Sequence, residues 1–131
     1  MTRTVLLIED NEQNRYLAKF LLEHHGYTVI SEPDGPRGLA RAVASPPDLI
    51  LLDIQLPGMD GYAVARALRE VESLRRVPIV AVTSYAMVGD REKALAAGCD
   101  GYIEKPINPD TFVDEIERSF ANPGGTSGGA S

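Results

Sequence analysis

At 131 residues, 44% of them hydrophobic and 24% charged, the chain can bury one core and has no room for a second domain of ordinary size. A formal net charge of −6 argues against nucleic acid as a direct ligand, since affinity for that polyanion needs clustered Lys and Arg, and Arg75-Arg76 is the one adjacent basic pair. A single cysteine, Cys99, excludes an internal disulfide, and no N-terminal apolar segment is long enough for a signal peptide or membrane span, so the expected location is cytoplasmic, off the membrane.

Along the chain the pattern is strand then helix, repeated. The apolar run Val5-Leu6-Leu7-Ile8 predicts a first strand covered on both faces, and it ends in Glu9 and Asp10. Leu17, Phe20, Leu21 and His24 predict the apolar face of a first helix, with Gly26 where a C-terminal cap belongs. A second strand begins near Tyr27, and Leu39, Ala40 and Val43 mark a second helix. The run Leu49-Ile50-Leu51-Leu52 predicts a third strand ending in Asp53, with Pro57, Gly58 and Gly61 serving the turn after it. Val64, Leu68 and Val71 mark a third helix. Ile79-Val80-Ala81-Val82 forms a fourth strand leading to Thr83, and a short fourth helix is expected from about Asp90 to Ala97. A fifth strand begins near Gly101 and carries Tyr102 and Ile103 to Glu104, Lys105 and Pro106. Asn108 as N-cap and Pro109 at the first helical position announce a last helix that lines up Phe112, Val113, Ile116 and Phe120. Residues 1–120 are thus expected to form the domain, and residues 121–131, rich in Gly and Ser, a flexible tail.

The alternation predicts an α/β fold in which acids, hydroxyl and ammonium all fall at carboxyl ends of strands, the edge where open parallel sheets bind ligands. Glu9, Asp10 and Asp53 gathered there would be costly: two carboxylates about 4 Å apart repel by roughly 4 kcal/mol near a protein surface. Such a cluster asks for a hard cation. Oxygen ligands from few residues fit Mg²⁺, which keeps several waters and works beside phosphate. A phosphoryl group at this edge would find Lys105 for its charge, Thr83 as donor and Asp53 as oxygen nucleophile.

The ordered set Glu9-Asp10, Asp53 within Leu52-Asp53-Ile54-Gln55-Leu56-Pro57-Gly58-Met59-Asp60-Gly61, Thr83, and Lys105-Pro106 resembles the receiver domains of two-component response regulators, from about Val5 to Phe120. The segment Thr83-Ser84-Tyr85-Ala86-Met87 is most similar to single-domain regulators and to receivers attached to hybrid sensor kinases. The resemblance implies a flavodoxin-like three-layer sandwich, a five-stranded parallel sheet in the order 2-1-3-4-5 flanked by five helices, which sets strands 1 and 3 side by side. It implies that Asp53 accepts a phosphoryl group from a sensor histidine kinase or a histidine phosphotransfer protein. Mg²⁺ would be bound by Asp10 and Asp53, by Glu9 directly or through water, and by the Gln55 carbonyl. Lys105 and Thr83 would hold the phosphoryl oxygens, and Tyr102 matches the family's switch aromatic. The kinase would face Gln13, Asn14 and Leu17 of the first helix and the loop at Pro106. A downstream protein effector would meet the surface of helix 4, strand 5 and helix 5. The expected role is a signalling switch with limited self-phosphorylation and self-dephosphorylation rather than a metabolic enzyme.

Two other classes share parts of this pattern. A haloacid-dehalogenase-type phosphatase also uses a strand-end Asp with Mg²⁺, but needs a second Asp two residues later as proton donor, where this chain has Gln55. A flavodoxin-like cofactor binder needs a phosphate-cradling loop after the first strand, where Glu9 and Asp10 would repel phosphate. His24 and His25, adjacent on a helix, cannot converge on one ligand and are assigned no chemistry; Cys99 is read as a small buried hydrophobe.

Overall fold

Five parallel strands pair in the order β2-β1-β3-β4-β5: β1 (Thr4–Ile8), β2 (Thr28–Glu32), β3 (Leu49–Asp53), β4 (Ile79–Thr83) and β5 (Gly101–Glu104). The computed structural model describes residues 2–56, 58, 60–84 and 89–121. Pro57 and Met59, the motif segment 85–87 and the tail 122–131 lie outside the described residues. The order expected from the resemblance is the one found.

Side chains alternate across the sheet and build two cores. Leu6, Ile8, Ile50, Leu52, Ile79 and Ala81 point to one face, where they meet Ala42, Val64, Ala65, Leu68 and Ala94 of α2 (Gly35–Ala44), α3 (Gly61–Glu70) and α4 (Asp90–Ala96). Val5, Leu7, Leu49, Leu51, Val80 and Val82 point to the other, against Ala18 and Leu22 of α1 (Glu12–His24) and Phe112, Val113 and Ile116 of α5 (Phe112–Ala121). Covered on both sides, β3 and β4 are buried at every position, which is why they read as unbroken apolar runs.

The helix starts are chemically marked. Asn11, Asp34 and Asp60 each turn a side-chain oxygen onto a backbone N–H of the first turn, those of Asn14, Arg37 and Tyr62, at 2.9, 2.9 and 3.0 Å. Gly26 follows α1 at φ 91°, a left-handed conformation that suits the residue after a helix. Gly61 opens α3 so close to β3 that a Cβ there would collide with the Ile54 backbone.

Three helical expectations change. The buried seam of α1 is Ala18 and Leu22, with Leu17 and Leu21 partly covered, while Phe20 is 54% exposed and His24 exposed. Phe20 stacks instead in an outward ladder with Tyr16 and His24, at centroid distances of 6.4 and 6.1 Å. On α2, Ala40 and Val43 face outward, and Gly35, Gly38 and Ala42 make the buried seam because this short helix lies close against Ile8. Asn108 caps a turn through the Asp110 N–H, but regular α5 begins at Phe112. A short 3-10 turn, Glu72–Leu74, follows α3 and buries Leu74.

Candidate functional site

Parallel pairing sends all five strands to one carboxyl edge, and the register brings their last residues level. Ile8 pairs with Leu52, so Glu9 and Asp10 leave the sheet beside Asp53. Thr83 pairs with Glu104, which sets Lys105 just past Thr83, and the Lys105 N–H donates to the Thr83 carbonyl at 2.8 Å. Carboxylate oxygens of Glu9, Asp10 and Asp53 all lie within 4.8 Å of one another.

Glu9 and Asp53 are each only 3% exposed, whereas Asp10 is open to solvent. The Lys105 ammonium sits between the two buried acids, 3.0 Å from Glu9 Oε1 and 3.3 Å from Asp53 Oδ2. Among the described residues, Lys105 pairs with two of the three clustered carboxyl groups and Asp10 has no ion pair, so negative charge is left over. Burial, and then the neighbouring Asp53, push the Glu9 carboxyl up from 4.5 to about 7, against the pull of Lys105.

Backbone donors orient the acids. The Gln55 N–H donates to Asp53 Oδ1 at 2.9 Å, and the Asn11 N–H to Glu9 Oε2 at 3.1 Å. Arg15 of α1 donates to the Glu9 carbonyl at 2.9 Å and anchors the loop that carries both Glu9 and Asp10. Two buried oxygen donors, one exposed donor and an open side suit a hard cation that keeps part of its water shell, so the residues present fit Mg²⁺.

Thr83 is 2% exposed and joins the cluster through Gln55, whose side-chain amide donates to Thr83 Oγ1 and accepts from the Ser84 N–H at 3.0 Å. The resemblance implies a role only for the Gln55 carbonyl. The one signal in the sequence for the side chain is a long amide two residues beyond a strand-end Asp, within reach of the next strand. Tyr102 stands apart from the acids on β5, in register with Ala81. Its ring packs on the α2–α4 core with the Arg91 guanidinium 5.5 Å from its centroid, and its hydroxyl is buried without a hydrogen-bond partner among the described residues.

The profile of the response regulator receiver domain matches residues 5–117. The chain belongs to that family. Members are signalling switches rather than classical enzymes, and they interact with histidine kinases and downstream effectors. Among curated relatives, the polar-differentiation response regulator DivK of Brucella abortus is 44% identical over 117 residues, covering 89% of this chain and 95% of that protein. Among solved structures, the receiver domain of a sensor histidine kinase from Pseudomonas aeruginosa, with a magnesium ion coordinated in its active site cleft, is 36% identical with a TM-score of 0.85, covering 93% of this chain and all of that one. The chemotaxis protein CheY4 of Vibrio cholerae superposes with a TM-score of 0.86 at 28% identity, over 90% of this receiver and 98% of that chain.

The remaining chemical candidates of this receiver fall outside the site. The buried Cys99 thiol is pushed up to about 12 by burial and by Asp100, which suits a core residue and not a nucleophile. His24 and His25 are exposed, and His25 Nδ1 pairs with the Leu21 carbonyl at 3.0 Å. Among the described residues, no helix is long and apolar enough to cross a membrane.

Proposed function

We propose that this receiver is a cytoplasmic phosphorylation switch in which Asp53 takes a phosphoryl group from a phosphohistidine on a sensor kinase or phosphotransfer protein. The observation that carries it is the Lys105 ammonium held 3.3 Å from Asp53 and 3.0 Å from Glu9 in a buried site that still has excess negative charge. In the transfer an Asp53 carboxylate oxygen bonds to phosphorus, the P–N bond to the donor imidazole breaks, and the imidazole leaves with that electron pair. Lys105 then faces the phosphoryl oxygens, and Thr83 offers its hydroxyl to one of them. Glu9, Asp10, Asp53 and the Gln55 carbonyl would hold Mg²⁺, which supplies counter-charge to the reacting oxygens when bound. Water attack on the acyl phosphate gives the limited self-dephosphorylation expected of a switch.

Residues 1–120 carry this function. The kinase would dock over Gln13, Asn14 and Leu17 of α1, which begins two residues after Asp10, and over the loop at Pro106, which follows Lys105. The effector, a protein, would read α4, β5 and α5, where movement of Thr83 toward the phosphoryl group lets Tyr102 shift. The test is direct labelling: with a small acyl-phosphate donor, acid-labile phosphate is expected only with Mg²⁺ and only with Asp53 intact. Stable label on Asp53→Asn, or full labelling in excess chelator, would overturn the assignment.

A further inference from the structure

One residue touches both halves of the proposed phosphoryl site. The Gln55 backbone N–H donates to Asp53 Oδ1 at 2.9 Å, while its side chain crosses from the end of β3 to the end of β4. There the amide nitrogen donates to Thr83 Oγ1 and the amide oxygen accepts the Ser84 N–H at 3.0 Å. A backbone N–H can only donate, so the Ser84 contact fixes which end of the amide is which. The register places Asp53 beside Val82, so Thr83, the last residue of β4, and Ser84 just beyond it come next past the phosphoacceptor, where a phosphoryl group on Asp53 would look for donors.

We propose that Gln55 is a latch: its side-chain amide ties Thr83 and Ser84 in the resting arrangement and competes with the phosphoryl oxygens for the Ser84 N–H. This rests on Asp53 being the phosphoacceptor. The amide oxygen is neutral, so an anionic phosphoryl oxygen makes the stronger hydrogen bond to the same N–H and can displace it. A carboxylate in its place would hold the donor harder and repel the newcomer. Gln55 is therefore a positioning residue that acts through Thr83 and Ser84, and it sets how much of the energy of phosphorylation is used in releasing β4.

The experiment uses the full chain with Gln55→Met, which keeps the length of the side chain and removes both hydrogen bonds, and Gln55→Ala as a second variant. Without phosphate, amide exchange at Ser84 is expected to speed up about tenfold, the scale of one to two net hydrogen bonds, while Val80 and Ala81 within β4 keep their protection. Beryllofluoride with Mg²⁺, a phosphoryl analogue, is expected to bind about tenfold tighter to both variants than to wild type. That gain should shrink in a Thr83→Ala background, as a coupled pair requires. Unchanged Ser84 exchange, or unchanged or weaker analogue affinity in variants with native β4 protection, would overturn the latch. Failure of the wild-type chain to bind beryllofluoride at all would instead overturn the phosphoacceptor assignment, and the latch with it.

Discussion

At the amino edge of the sheet, Arg69 of α3 gives every arm of its guanidinium a partner. Nε donates to the Gly98 carbonyl at 2.8 Å, Nη1 to the carbonyls of Leu74, Arg75 and Val77 at 2.9, 3.1 and 2.7 Å, and Nη2 to Asp100. Asp100 in turn accepts the Ile79 N–H at 2.9 Å, so one cation and one anion pin the entries of β4 and β5. At the carboxyl edge, buried charge is arranged the other way: among the described residues, Glu9 and Asp53 share one ion-pair partner, Lys105, with Asp10 beside them. The first edge is balanced and closed. The second is unbalanced and open, so it has room and charge for a ligand, and the resting fold bears the repulsion.

The largest expected effect breaks the balanced edge. Asp100→Ala would leave the Arg69 side chain, 19% exposed, without its counter-charge and the Ile79 N–H without its acceptor. A loss of about 3–5 kcal/mol is expected for such a broken buried pair, a fall in Tm of about 10 °C or more by thermal denaturation. A loss below about 1 kcal/mol would mean that the two edges do not differ as argued.

The unbalanced edge should respond to pH instead. Glu9 is raised from 4.5 to about 7 in the folded chain, so the folded state holds its proton more tightly than the unfolded one. Its stabilising contribution is complete below about 4.5 and is lost as pH rises through about 7. With about 1.4 kcal/mol for every pH step of one between those two values, the loss in metal-free protein is up to about 3 kcal/mol. Urea denaturation between these limits in chelator should show the decline in wild type and a flatter profile in Glu9→Gln. Saturating Mg²⁺ should flatten the wild-type profile too, by favouring the ionised carboxylate. A Glu9→Gln profile parallel to wild type would place the origin of the decline elsewhere.

The smallest effect is a control on ion pairing as such. Arg41 and Glu32 form an ion pair at 3.0 Å, but the arginine side chain is 48% exposed. Arg41→Ala should change stability by no more than about 0.5 kcal/mol, and less in high salt. A cost approaching that of Asp100→Ala would show that burial is not what separates these pairs.

The alternation of apolar runs and helical spacings in the sequence determined the α/β class and the strand ends, and those ends carry Glu9, Asp10, Asp53, Thr83 and Lys105. These features were legible because strands covered on both faces must be apolar throughout, so the first polar residues mark where each strand leaves the sheet. Which strands lie side by side was not legible from alternation alone; the order came from resemblance, and pairing in three dimensions realises it. The buried face of α1 was not legible either, because Tyr16, Phe20 and His24 sit at helical spacing as Leu17 and Leu21 do, and only docking on the sheet decides which stripe is covered. The Arg69 network has no sequence signature, since most of its acceptors are main-chain carbonyls of loops from Leu74 to Gly98. The bridge from Gln55 to Thr83 and Ser84 spans 28 and 29 residues. Such contacts depend on the separation and register of β3 and β4, which local composition does not encode, and so the tertiary structure alone decided how the resting site is held.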